Sequence, residues 1–140
     1  MQPTREDAWA LLREFTTNPS LLKHALGVEA AMRAYARRFG EDEERWGVVG
    51  LIHDFDYERH PEMGGDTPQQ EWHTIAGARI LRERGWPEEF VTDVLSHADY
   101  VGVSRDTLLR KAFNSPTGFN TPIDVTETRI MEIGMPLLVA

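Results

Sequence analysis

Residues 45–55, RWGVVGLIHDF, constrain the fold most. Four acids, Glu41, Asp42, Glu43 and Glu44, come just before them. Acids there suit the positive end of a helix dipole, so a helix is expected to start among them. That helix carries RWGVVGLIHDF and is apolar nearly all round. It cannot face water and must be a buried central helix with others packed on it. Gly47 and Gly50 lie about one turn apart and let those neighbours come close. The run ends on His53-Asp54, which sets a polar pair at the end of a buried element.

The flanking sequence supplies the neighbours. Thr4 can cap a helix over about 5–16, with Trp9, Leu12 and Phe15 on one side. Asn18-Pro19 is a strong start signal, and Gly40 fits the stop of a helix running to about Phe39. Residues 59–70, RHPEMGGDTPQQ, read as a loop. A helix over about 71–84 stops at Gly85, and Pro87-Glu88-Glu89 opens another that runs to Ser96 or His97. HADYVGV connects to a short helix over 105–112, capped by Ser104. The expected fold is all-α, a bundle of five to six helices over 1–112. Residues 113–140 have Pro116, Pro122 and Pro136 and spread β-branched residues, so they read as an extended or short-strand tail. The apolar MEIGMPLLVA end favours a homodimer through that tail.

The 140-residue length fits one domain with a real core. With no Cys, thiolate metal sites, disulfides and cysteine nucleophiles are excluded. A net charge of -8 argues against a nucleic-acid polymer as partner, because gripping phosphate backbones takes a surplus of Lys and Arg. No run approaches the ~18 apolar residues of a membrane span. The start, MQPTREDAWALLREF, lacks the apolar stretch of a signal peptide, and the cytoplasm is the expected location.

Four of the five histidines are expected to face inward. At ~100° per residue, Leu21, Ala25, Val28, Met32 and Tyr35 share one face of the second helix, with His24 at its edge. Lys23, Arg33, Arg37 and Arg38 fall on the opposite side. His53 and Asp54 share the central helix end, where one cation could lie between them. His73 opens the fourth helix and His97 ends the fifth, while His60 lies in the Pro/Gly loop and reads as solvated. Each histidine alone is most simply a packed core residue. Together, four imidazoles and a buried Asp point to a carboxylate–imidazole metal site between helices.

The order His24, His53-Asp54, His73, His97 resembles the HD-domain superfamily of metal-dependent phosphohydrolases, and in particular a small bacterial single-domain branch. The resemblance rests on KHALGVEAAMRAYARRFGEDEERWGVVGLIHDFDYERHPE, HTIAGARILRERGWPEE and LSHADYVGVSRDT, within about residues 5–112. It implies a helical bundle around one or two divalent ions (Mn, Fe, Ni, Co, Mg or Zn), with His24, His53 and Asp54 as ligands. It implies a phosphomonoesterase or phosphodiesterase that hydrolyses a nucleotide or other small phosphate ester by metal-activated water. Asp54 would also orient that water. His73 and His97 would extend the site or touch the phosphate. Lys23, Arg59 or Arg82 would meet the substrate charge.

The last family ligand is missing. Relatives place an Asp within KALxAxDELTGF, where this chain reads KAFNSPTGF. Depending on the gap, Asn114 or Thr117 takes the Asp position, and Pro116 opposes a continuing helix. Asp124 could substitute only if the tail folds back. The alternative reading is therefore a catalytically impaired HD-like domain that binds metal or ligand and acts through a partner.

Overall fold

The computed structural model describes residues 2–95. Its first three helices start where a side chain accepts the backbone N–H groups that a helix start leaves unpaired. Helix α1 (Arg5–Phe15) begins with a capping box, in which Thr4 accepts from the Asp7 N–H and the Asp7 carboxylate accepts from the Thr4 N–H. Helix α2 (Pro19–Phe39) is capped by Asn18, whose Oδ1 accepts from the Ser20 N–H at 2.8 Å. It ends on Gly40 at φ 69°, a left-handed conformation that glycine adopts without side-chain strain. Helix α3 (Glu43–Ile52) is capped by Asp42. Helices α4 (Ile75–Glu83) and α5 (Glu88–Leu95) follow a 3-10 turn at Gln69–Glu71. Among the described residues the fold is all-α, with five α-helices and no strand.

Every residue from Trp46 to Ile52 is buried, as an all-round apolar helix requires. Helix α3 packs most extensively on α2, then on α1 and α5. Around it Leu12, Phe55, Leu81, Phe90 and Val91 are almost fully buried. Each such side chain removed from water contributes about 1.5–3 kcal/mol. The two helix glycines do different jobs. A Cβ on Gly50 would lie 3.1 Å from the Val28 carbonyl and 3.2 Å from the Glu29 Cα, so α2 and α3 meet backbone to backbone there. A Cβ on Gly47 would instead strike the Arg33 guanidinium, which crosses its helix surface to reach Glu29. Arg33, expected on the polar side of α2, is thus drawn partly inward by a buried acid.

Two helix boundaries depart from expectation. Helix α3 stops at Ile52, with His53 as its C-cap, and residues 53–59 form turns. Helix α4 starts at Ile75 and not near 71, so His73 precedes the helix. The cause is Thr74, whose φ of 66° cannot continue a right-handed helix. His60 is not solvated but half-buried, 3.1 Å from the Glu71 carboxylate. The expected helix over 105–112, His97, Asn114, Thr117, Asp124 and the tail over 113–140 lie outside the described residues. No helix among the described residues is long and apolar enough to cross a membrane.

Candidate metal centre

The end of α3 and the middle of the first half of α2 bring three side chains to one point. His24 Nε2 lies 3.1 Å from His53 Nε2 and 3.3 Å from Asp54 Oδ2. His53 Nε2 is 3.1 Å from the same Asp54 oxygen. Helix phase explains this convergence. His53 still belongs to the last turn of α3, while Asp54 has left the helix and can swing back beside it. His24 comes from the opposing face of α2, held close by the glycine contact one turn earlier in α3.

His53 Nδ1 donates to the Gly50 carbonyl at 2.7 Å, because a carbonyl can only accept. A neutral His53 ring therefore carries its lone pair on Nε2. Nε2 and the Asp54 carboxylate are then two acceptors in contact, an arrangement that needs a proton or a cation between them. The donor set fits a divalent ion. Ligand atoms about 2.1 Å from one ion and at right angles lie about 3.0 Å apart, close to the spacings here. The carbonyl bond that fixes His53 is also the usual outer support of a metal-binding imidazole. Each of His24, His53 and Asp54 offers one ligand atom, and these atoms lie within 4.8 Å of one another.

A second layer stands behind Asp54. Its other oxygen, Oδ1, is 3.0 Å from His73 Nε2. His73 Nδ1 in turn is 2.9 Å from Asp56 Oδ1, and the Tyr57 ring packs edge-on against the imidazole at 5.2 Å. Asp56 is fully buried. Its Oδ2 accepts from the Thr74 N–H at 2.6 Å and the Gly77 N–H at 3.1 Å. Thr74 is strained, since a β-branched residue at positive φ costs of order 1–3 kcal/mol.

Protonation follows from these contacts. Burial works against the charge on Asp54, but the His53 ring and hydrogen bonds from His24, His53 and His73 outweigh it. The carboxyl is held far below its usual range. Burial likewise opposes charge on His73, yet hydrogen bonds to Asp54 and Asp56 push its pKa up to about 9. Without a metal, His73 is an imidazolium held between two carboxylates at neutral pH.

The structure brings His24, His53, Asp54 and His73 together. Lys23 is exposed beside His24 on α2. The Arg59 guanidinium donates to the Glu14 carbonyl and lies over the Phe15 ring at 4.2 Å. Arg82 pairs with Glu88. Sequence reasoning passed over Asp56. The available signal was its place in His53-Asp54-Phe55-Asp56: an acid two residues beyond the pair, across a phenylalanine that is fully buried.

Two imidazoles and a carboxylate thus meet at one helix end of a helical bundle, as a group that could hold a metal ion. Among protein families, the HD domain model matches residues 21–120. The chain belongs to the HD domain family. Neither curated proteins nor solved structures gave a significant match.

Proposed function

We propose that this chain is a metal-dependent phosphohydrolase acting on a nucleotide or another small phosphate ester. The observation that supports it best is the contact of His24 Nε2, His53 Nε2 and Asp54 Oδ2 within 3.3 Å of one another, in a chain of the HD family. In this reading those three atoms hold a divalent ion. Such an ion, when bound, polarises a phosphoryl oxygen and lowers the pKa of a water to make a nucleophile near neutral pH. Asp54 divides its work between its two oxygens. Oδ2 faces the ligand cluster, while Oδ1 is tied to His73, which fixes the carboxylate plane. His73 holds a proton on Nε2 beside Asp54 and can give it up to a phosphate oxygen or leaving group. Lys23, exposed next to His24, meets part of the substrate charge, and His97 extends the site. The substrate is small, with no nucleic-acid polymer and no membrane involved, and the location is cytoplasmic. The tail joins two copies of the chain.

One observation favours a second reading, a domain that binds metal without turnover and acts through a partner. The family's late Asp is replaced by Asn114 or Thr117. One experiment separates the two. Purified protein is analysed for metal and assayed on phosphomonoesters, phosphodiesters and nucleotides with Mn, Mg, Ni or Co. Turnover lost in His53→Ala and Asp54→Ala supports hydrolysis. Metal bound with no turnover on any class supports the second reading. No metal after reconstitution refutes both.

A further inference from the structure

Among the described residues, four glycines lie inside α-helices, and three of them have a packing reason. A Cβ on Gly47, Gly50 or Gly77 would strike Arg33, Met32 or Asp56 at 3.0 Å or less. Gly27, within α2, has no such reason. It is exposed, and a Cβ there would meet nothing within 4 Å beyond its own helix backbone and chain neighbours. Its backbone is ordinary helix with no positive φ. Glycine at such a place weakens a helix relative to alanine. Packing and backbone geometry therefore both leave this glycine unexplained.

Its position relative to the ligand cluster explains it. The cluster is not equally open on all sides. The His24 side chain is 27% exposed and that of Asp54 19%, while that of His53 is only 6% exposed. Two residues stand one turn beyond His24 on α2, Gly27 and Val28. Val28 is buried and closes the core side. Gly27 stands on the solvent side. Side chains on a helix lean toward its N-terminus, so each covers the turn before its own. A side chain at position 27 would thus lie over Lys23 and His24, across the outer edge of the imidazole. Ser20 and Leu21, one turn earlier, lean away from it. Position 27 is where α2 itself could close the approach to His24, and it carries no side chain.

We propose that Gly27 is a specificity-determining position. Its missing side chain keeps the outer edge of His24 open, and the organic part of a phosphate ester held at the cluster lies there against bare α2 backbone. The first half stands on the fold alone, and the second rests on the proposed function.

Gly27→Ala and Gly27→Leu test both halves, since alanine and leucine are good helix formers. The thermal midpoint is expected to rise in Gly27→Ala. A midpoint that falls would give the glycine a packing role and overturn the proposal. Access to His24 is read on the metal-free full chain by carbethoxylation with diethyl pyrocarbonate, located by mass spectrometry. Gly27→Leu is expected to lose most of the reactivity of His24 and to leave that of His60 unchanged. An unchanged His24, or a wild type whose His24 reacts no faster than the buried His53, overturns the proposal. The place of the substrate is read by calorimetry on the Mn-loaded chain, with inorganic phosphate and a non-hydrolysable phosphonate analogue of AMP as probes. Gly27→Leu is expected to keep the phosphate affinity and to bind the nucleotide analogue about 10-fold or more weaker. Equal losses for both probes, or none for either, overturn the substrate's place. A wild type that binds neither probe defeats the proposed function and the substrate's place with it, and the labelling of His24 still decides whether Gly27 keeps the approach open.

Discussion

Two acids that border helix α3 are set in opposite company. Glu29, on α2, has a side chain only 8% exposed and is clamped by Arg5 at 2.8 Å and Arg33 at 3.1 Å. Asp54, just past the C-terminal end of α3, is 19% exposed and is ringed by His24, His53 and His73. Guanidinium is always charged, so the Arg5 and Arg33 partners of Glu29 are permanent cations. Imidazole is charged only conditionally and can give its place to another cation. The Glu29 cluster is complete in itself and ties α1, α2 and α3 together. The Asp54 cluster is balanced by groups that can exchange a proton for a metal. A carboxylate met by fixed cations reads as structural, and one met by imidazoles reads as a site.

The sharpest way to break this contrast is to remove each acid in turn. Asp54→Ala is expected to lose bound metal and all turnover, read by elemental analysis and phosphate release. Glu29→Ala is expected to keep both. If Glu29→Ala loses metal as well, the two clusters are not separate.

Metal should also protect only through the imidazole cluster. Adding Mn at about 100 times its dissociation constant should raise the unfolding free energy by about 2.7 kcal/mol, reversed by chelator. The gain should vanish in Asp54→Ala and survive in Glu29→Ala. Urea midpoints with and without metal measure it.

Glu29→Ala itself should cost about 2 kcal/mol, less than a fully buried ion pair because Arg5 is 42% exposed. A cost near zero would mean that the arginine clamp holds nothing together.

The smallest effect expected is at Glu58, where the turn after Asp54 reaches back to α2. Its carboxylate accepts the Asn18 N–H at 2.7 Å and the Thr17 N–H at 3.1 Å, which holds its pKa below the usual 4.5. A lowered folded-state pKa adds stability above pH 4.5 that is lost as pH falls through the folded value. Glu58→Gln should therefore be slightly less stable than wild type at pH 7 and equal to it in strong acid. A difference that persists unchanged below that range would remove Glu58 from the account.

Much of this was legible in the sequence. The caps at Thr4 and Asn18, the stop at Gly40, a helix start within residues 41–44 and the burial of α3 follow from local chemistry and periodicity, and each is found where expected. Helix phase puts His24 at the margin of an apolar face and the His-Asp pair at a buried helix end, and the resemblance to the HD superfamily marks the three as one ligand set. The contacts of Asp56 were not. Its partners Thr74 and Gly77 lie beyond a loop rich in Pro and Gly, and no periodicity carries across such a loop. The start of α4 was misjudged for the same reason, since its cap comes from Asp56 and not from a neighbouring Ser, Thr, Asn or Asp. Arg33 was misjudged because a helical wheel ranks side chains by polarity and does not show a buried acid one turn away.

Gly50 links these observations to the size of what the site can hold. Its missing side chain sets how near α2 and α3 lie, and its carbonyl orients His53. The reach between His24 and His53 is therefore gauged by a helix crossing and not by loops. A crossing deforms little, so it works as a calliper that fixes the gap between the two imidazoles.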